Sequence, residues 1–185
     1  MIEEVVYPTS EIPAYLKWQI LSFLRIEWPD GFTGPNRLRD WISREEDHPI
    51  SFMLVEKDIL ISHAEAVWKY LEHAGETYKV YGLAGVFTYP AFRRQGYGTQ
   101  VVALATAYID KSGADVGIVF TQPHLKEFYS VNGWLPMEKT IVLIGSKQNP
   151  IVSNQLVLMR FLSEKGKKGR TSFETIPVYF GEDTW

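Results

Sequence analysis

Apolar and polar residues alternate, recur and cluster along this chain in an order that predicts strands and helices in succession. Residues 2–7 read as a strand, and Ser10 is placed to cap a helix running through Phe23, with Ile12, Leu16, Ile20 and Leu24 recurring on one face. Trp28-Pro29-Asp30-Gly31 reads as a turn, and residues 36–46 as a second, short helix. Residues 51–56 and 59–69 read as strands joined by a tight turn at Lys57-Asp58. A further turn falls over 72–76, followed by a strand over 77–87. The 3.6-residue period returns over 98–111, where Val101, Val102, Ala105, Tyr108 and Ile109 share a face and Gly113 follows the end. Residues 116–121 form a short apolar run suited to a buried strand, in parallel pairing after that crossover. Pro123 opens a last short helix over 123–131. Residues 134–142, 155–161 and 173–180 read as strands with glycine-rich connections. No repeat or linker divides the chain, so a single domain over 1–185 is expected.

Composition narrows the classes of function. With 45% hydrophobic residues in 185, the chain can bury a core, and it holds no apolar run long enough to span a bilayer. It has no cysteine, hence no disulfide framework, thiolate zinc site or cysteine nucleophile. That absence, with no segment of signal-peptide anatomy, fits a cytoplasmic protein. The net charge of -3 argues against nucleic acid as a partner. Lys165, Lys167, Lys168 and Arg170, interleaved with glycine, read as a solvated, mobile loop.

One stretch carries candidate chemistry. Arg93-Arg94-Gln95-Gly96-Tyr97-Gly98-Thr99 lies between the strand ending near 87 and the helix beginning near 98. The first N–H groups of a helix have no intrahelical acceptor, and the helix dipole favours negative charge there. Gly96 and Gly98 carry no Cβ, so a phosphate can approach the main chain closely. Arg93 and Arg94 add charge in a forked geometry that suits phosphate oxygens. A phosphate-bearing ligand is expected here.

The pattern Arg93-x-x-Gly96-x-Gly98, after a strand ending Gly85-Val86-Phe87-Thr88, resembles the acyl-coenzyme A signature of the GNAT superfamily of N-acetyltransferases. Phe128-Tyr129-Ser130-Val131-Asn132-Gly133-Trp134 is similar to the aromatic segment that closes the same site in that superfamily. The resemblance implies an α/β (α+β) fold: a mixed, mostly antiparallel central sheet flanked by helices, with a splayed strand pair forming the acyl-CoA cleft. It implies an acetyl-CoA-dependent N-acetyltransferase that uses no metal. Acetyl-CoA would be the cosubstrate, and a small-molecule primary amine would attack it directly in a ternary complex. The pyrophosphate would lie on the amides of residues 94–99, and the pantetheine arm beside Val86, Phe87 and Thr88 in the manner of an extra strand. The thioester would then sit near residues 83–86, where a backbone N–H polarises its carbonyl. Family habit adds the expectation of a homodimer.

A narrower resemblance is to aminoglycoside 2'-N-acetyltransferases, over residues 129–136, over Ile59-Leu60-Ile61-Ser62-His63-Ala64 and at Trp185, the last residue of the sequence. Against that family this chain has Ala84 in place of a glutamate base, and Val152 and Ser153 where loop acids are expected. Asp30, Glu182, Asp183 and the Trp185 carboxylate are the carboxylates left to meet a cationic acceptor, with Asp30, Ala84 and Trp185 its expected contacts. Acceptors therefore stay open between an aminoglycoside-type or other small amine and a peptide or protein amine. An acyl-CoA-binding protein with weak or no turnover, and a binder of other nucleotides, remain alternatives.

Tyr129 is the candidate general acid, since a phenol holds its proton at neutral pH and can pass it to a departing thiolate; the other reading is a core tyrosine in an aromatic patch. For the base, alternation puts Glu65 beside Ala84 on the face it shares with His63. Either residue can take the amine proton or serve structure alone. Tyr81, His124 and bulk water complete the candidates.

Overall fold

The computed structural model describes residues 1–185 and is organised around a seven-stranded sheet. In chain order the elements are β1 (Ile2–Pro8), α1 (Ala14–Glu27), β2 (Ile50–Glu56), β3 (Ile59–His73), β4 (Glu76–Thr88), α2 (Tyr97–Lys111) and β5 (Val116–Thr121). There follow α3 (Lys126–Ser130), β6 (Leu135–Pro136), β7 (Val142–Ile144), β8 (Ile151–Val152), β9 (Leu156–Phe161), α4 (Glu164–Thr175) and β10 (Val178–Gly181). The large sheet runs β1-β2-β3-β4-β5-β9-β6 and is antiparallel except at β4–β5. A small second sheet runs β10-β7-β8.

Strand alternation divides the core. Val101, Val102, Ala105 and Ile109 of α2 pack on Ala64, Ala66 and Leu83. Leu16, Ile20 and Leu24 of α1 pack with Met53, Leu60 and Phe87. A third cluster joins Phe173 of α4 and Phe180 of β10 to Val116, Ile118 and Met159. No helix is long and apolar enough to cross a membrane.

The parallel pair positions the site. β4 bonds to β5 only over Val80–Gly82, opposite Val116–Ile118, and the two strands then part. The remainder of β4 stays paired to β3, with one irregularity: Glu65 opposes Ala84 and His63 opposes Phe87. Three steps along β4 thus match two along β3, which is a bulge. Gly85 occupies it at φ +54, a left-handed conformation that costs a glycine little.

Several sequence expectations are corrected. Residues 36–46 do not form a helix but 3-10 turns at Gly34–Leu38 and Glu45–Asp47 around irregular chain. Arg25 donates to the carbonyls of Arg37 and Arg39 at 3.1 and 3.0 Å, the acceptors that helical residues 41 and 43 would need. Ser10 caps nothing; it lies in a 3-10 turn, and Pro13 sets the start of α1, which runs on to Glu27. The turn expected over 72–76 tightens to Ala74-Gly75, both at positive φ, so β3 and β4 form one long hairpin. The strand expected over 134–142 is reduced to Leu135–Pro136 and the first residue of β7.

The largest correction concerns residues 164–175. They form α4, not a mobile loop leading into a strand over 173–180, and only Val178–Gly181 is extended. Ser163 caps the helix by accepting from Gly166 N at 3.0 Å and donates to Asp115 Oδ1 at 2.6 Å. Lys165 pairs with Asp115 at 2.7 Å, while Lys167–Glu164 and Arg170–Glu174 bridge successive turns. Gly166 lets the helix dock, because a Cβ there would stand 2.0 Å from the Asp115 carbonyl oxygen. Glycine-to-alanine in a helix normally stabilises by up to about 1 kcal/mol. Gly166→Ala should instead destabilise the fold by about 1–3 kcal/mol in urea unfolding, through the backbone clash. A stability equal to or above that of the wild type would contradict this docking.

Candidate active site

A cleft of about 520 Å³ opens where β4 and β5 part. Val86, Phe87 and Thr88 form one wall, the turn from Arg93 to Thr99 a second, and Phe128 and Tyr129 of α3 a third. Of the ten residues expected to hold an acyl carrier, eight line this space; Gln95 and Tyr97 do not. Gln95 turns back to the Ala91 carbonyl at 3.3 Å, and Tyr97 packs against the α2 core.

The turn leaves its main-chain donors open. Arg93 N bonds to Pro90 O, and the next internal main-chain donor is Gln100 N, to Gly96 O at 3.0 Å. The amides of residues 94–99 between them have no acceptor within the protein. Gly96 lies at φ +87 with open space where a Cβ would stand, and Arg94 at φ +61. A Cβ on Gly98 would meet Thr88 Oγ1 at 3.1 Å and the Phe128 ring at 3.2 Å, so glycine there keeps the passage between β4 and α3 clear. The two arginines differ. Arg93 is engaged, donating to Thr88 O at 2.9 Å and pairing with Glu27 at 3.0 Å. Arg94 makes no ion pair and stands exposed.

Tyr129 lines the cleft but is 6% exposed, its ring edge-on to Phe128 at 4.9 Å. Burial pushes its phenol up to about 12, opposed by a hydrogen bond from the Thr121 side chain. Of the candidate bases, His124 lines the cleft, buried Tyr81 does not, and Glu65 and His63 lie outside the lining, fully buried on β3. Glu65 is directly opposite Ala84, so the two share a face. Its carboxylate accepts from Trp41 Nε1 at 2.6 Å, from Thr9 Oγ1 at 3.1 Å and from Ser43 Oγ. Burial raises it from 4.5 to about 7 in spite of those donors. Burial also drives His63 down to about 4, against a bond from its ring to the Gly85 carbonyl.

Of the expected acceptor contacts, Ala84 is buried, and Asp30 is exposed in a 3-10 turn. Trp185 lies flat on β4, where a Cβ at Gly82 would be 1.9 Å from its ring, and meets Phe180 edge-on at 4.8 Å. Lys69 Nζ sits 4.9 Å over the indole. Sequence reasoning missed Glu27, Phe92 and Leu125 in the cleft wall, and Trp41, Ser43 and Thr9 around Glu65. Only the aromatic load near residue 41 hinted at any of them.

Comparison with known proteins follows the same lines. The family described as "Acetyltransferase (GNAT) domain" matches residues 7–137. No curated protein matches the sequence. Among solved structures, Escherichia coli ElaA is similar at TM-score 0.59 and 15% identity, over 86% of this chain and 99% of that one. An aminoglycoside 6'-N-acetyltransferase complexed with coenzyme A also aligns at TM-score 0.59 and 15% identity, over 86% and 97%. An acyl-CoA N-acyltransferase from Pseudomonas aeruginosa aligns at TM-score 0.56 and 16% identity, over 86% and 99%. At such identities these likenesses concern the fold.

The buried carboxylate has a consequence for stability. With Glu65 raised to about 7, the folded chain binds that proton more tightly than the unfolded chain. Stability from this group is therefore complete below about 4.5 and declines as pH rises through 7. The wild-type melting temperature should fall relative to that of Glu65→Gln between pH 5 and 8; a difference independent of pH would contradict the assigned burial.

Proposed function

Because the chain belongs to the acetyltransferase (GNAT) domain family, we propose that it moves the acetyl group of acetyl-CoA to a primary amine by direct attack in a ternary complex. One observation carries this reading: the turn whose amides at 94–99 are free and Tyr129 line one cleft whose third wall is the unpaired edge of β4. The amides and Arg94 would hold the pyrophosphate, with Arg93 tying the turn to α1 through Glu27. Pantetheine would lie along Val86, Phe87 and Thr88, using edge groups that β5 does not reach. The thioester carbon would then stand near the bulge, where the amine attacks it. The C–S bond breaks as the new C–N bond forms, and Tyr129 gives its proton to the departing sulfur. Desolvation keeps the phenol protonated until then and also strengthens the thiolate as a base.

The ammonium formed must lose a proton. Glu65 is the best-matched acceptor, raised to about 7 and opposite Ala84, reached through the half-buried hydroxyls of Ser43 or Thr9. The acceptor would approach over Ala84 between the Trp185 ring and the turn holding Asp30. Small amines, aminoglycoside-type ones included, suit this reading, as does a peptide amine. Ala84 also favours a second reading, an acyl-CoA-binding protein that turns over slowly, because no carboxylate stands at that position itself.

Thiol release from acetyl-CoA, screened across amines, separates the two. Release with at least one amine is expected, with Tyr129→Phe lowering kcat about tenfold or more while the acceptor KM stays nearly constant. Arg94→Gln should raise the acetyl-CoA KM about tenfold with little change in kcat. A Tyr129→Phe rate equal to wild type would remove the tyrosine from the mechanism. Binding of acetyl-CoA without thiol release for any amine would favour the slow-turnover reading.

A further inference from the structure

We propose that His63 is a positioning residue, whose neutral imidazole clamps the bulge at Gly85 through Nδ1–H, and that it takes no proton from the acceptor. The inference deepens the acetyl-transfer reading and rests on it for its kinetic arm. It starts from the extra residue in β4. A bulge takes main-chain groups out of the ladder, and each must find another partner or remain unbonded inside the protein. Two consecutive side chains of β3 bond to the main chain of β4 here, His63 at the bulge itself and Ser62 beside it. Ser62 Oγ donates to Phe87 O at 2.8 Å, and the His63 ring bonds to Gly85 O through Nδ1 at 2.7 Å.

Hydrogen bonding assigns the tautomer. A carbonyl oxygen only accepts, so Nδ1 must carry the proton. Nε2 lies 3.1 Å from Oγ of Ser51, which is fully buried, and in the neutral ring it accepts from that hydroxyl. Both nitrogens are thereby engaged, and neither points at the cleft lining. The ring is held between Phe87, stacked at 5.3 Å, and Trp41, edge-on at 6.1 Å. Its burial and the downward shift to about 4 agree with a ring that stays neutral. Glycine suits residue 85 because its φ is +54; a Cβ there would lie 3.4 Å from Cε1, in van der Waals contact with the ring.

The bond has a directional effect one peptide away. In a planar trans peptide the C=O of one residue and the N–H of the next point in opposite directions. Turning the Gly85 carbonyl toward His63 therefore turns the Val86 N–H away from it, on the side where Val86 lines the cleft. That N–H is the donor suited to the thioester carbonyl as it gains negative charge. His63 would act on the reaction only through this peptide plane.

Isosteric variants test the idea. His63→Asn keeps an N–H donor near the place of Nδ1, whereas His63→Gln carries its amide toward the place of Nε2. His63→Asn should keep kcat for thiol release within about threefold of wild type, and His63→Gln should lose about tenfold or more, with the acetyl-CoA KM little changed in both. Melting curves establish that each variant is folded. Equal, large losses in two folded variants, recovered as pH is raised, would identify a missing base and overturn the proposal. Nitrogen-15 NMR of the wild-type imidazole supplies a readout without turnover: Nδ1–H with a bare Nε2 at neutral pH is expected. An Nε2–H tautomer or a doubly protonated ring would refute the clamp. If no amine supports thiol release, the transfer reading fails, while the imidazole spectrum still decides whether the clamp exists.

Discussion

Main-chain donors and acceptors have to be satisfied, and this fold leaves two sets of them unpaired on either side of one cleft. One set is the run of amides from residue 94 to residue 99, left free because a helix cannot bond its own first turn. The other is the edge of β4 beyond Gly82, left free because β5 turns away. A ligand able to use both must be anionic at one end and amide-like along its length. Phosphate and pantetheine have those properties, which is why the proposed acyl-CoA reading rests on the backbone first. The side chains then adjust it. Glu27 offsets Arg93 at the rim, Arg94 is left without an ion-pair partner, and Tyr129 lines the same cleft.

The acceptor side is organised by a buried carboxylate. Glu65 draws Trp41 and Ser43 from the irregular segment after α1, and Thr9 from the turn after β1, onto the middle of the sheet. An ionised carboxylate without donors would be expensive at that depth, so these bonds tie both segments to the sheet. Through the Thr9 hydroxyl, 3.3 Å from that of Ser51, the same network approaches His63 and the bulge. Ala84 is thus faced by a carboxylate on the neighbouring strand.

Local signals explain what the sequence disclosed. The glycine turn was legible because strand, turn and helix are consecutive, and its chemistry depends on backbone rather than on distant partners. The same holds for β1 to β5 and α2, where the apolar period is strong. Residues 36–46 were misread because Arg25 captures carbonyls that a helix would use, a contact between separate segments. The helix α4 was misread because its two glycines have weak helical preference and Phe173 is its only large apolar side chain, so no apolar period marks it. Its stability comes from the Ser163 cap and from docking on Asp115, 48 residues away in sequence. The role of Glu65 stayed open for a similar reason: its three donors lie 22 to 56 positions distant. Alternation placed the residue on the correct face, and only tertiary structure could reveal how deeply it is buried.

The account stands or falls on where an acyl carrier's diphosphate is held. Amide proton and nitrogen shifts, followed by NMR while acetyl-CoA is added to the nitrogen-15-labelled chain, test this directly. The N–H signals of residues 94–99 should move downfield together and saturate with the same dissociation constant as the signals of Val86 and Tyr129. Saturable binding that leaves those six amides unmoved, or that shifts the lysine-bearing surface of α4 instead, would contradict it.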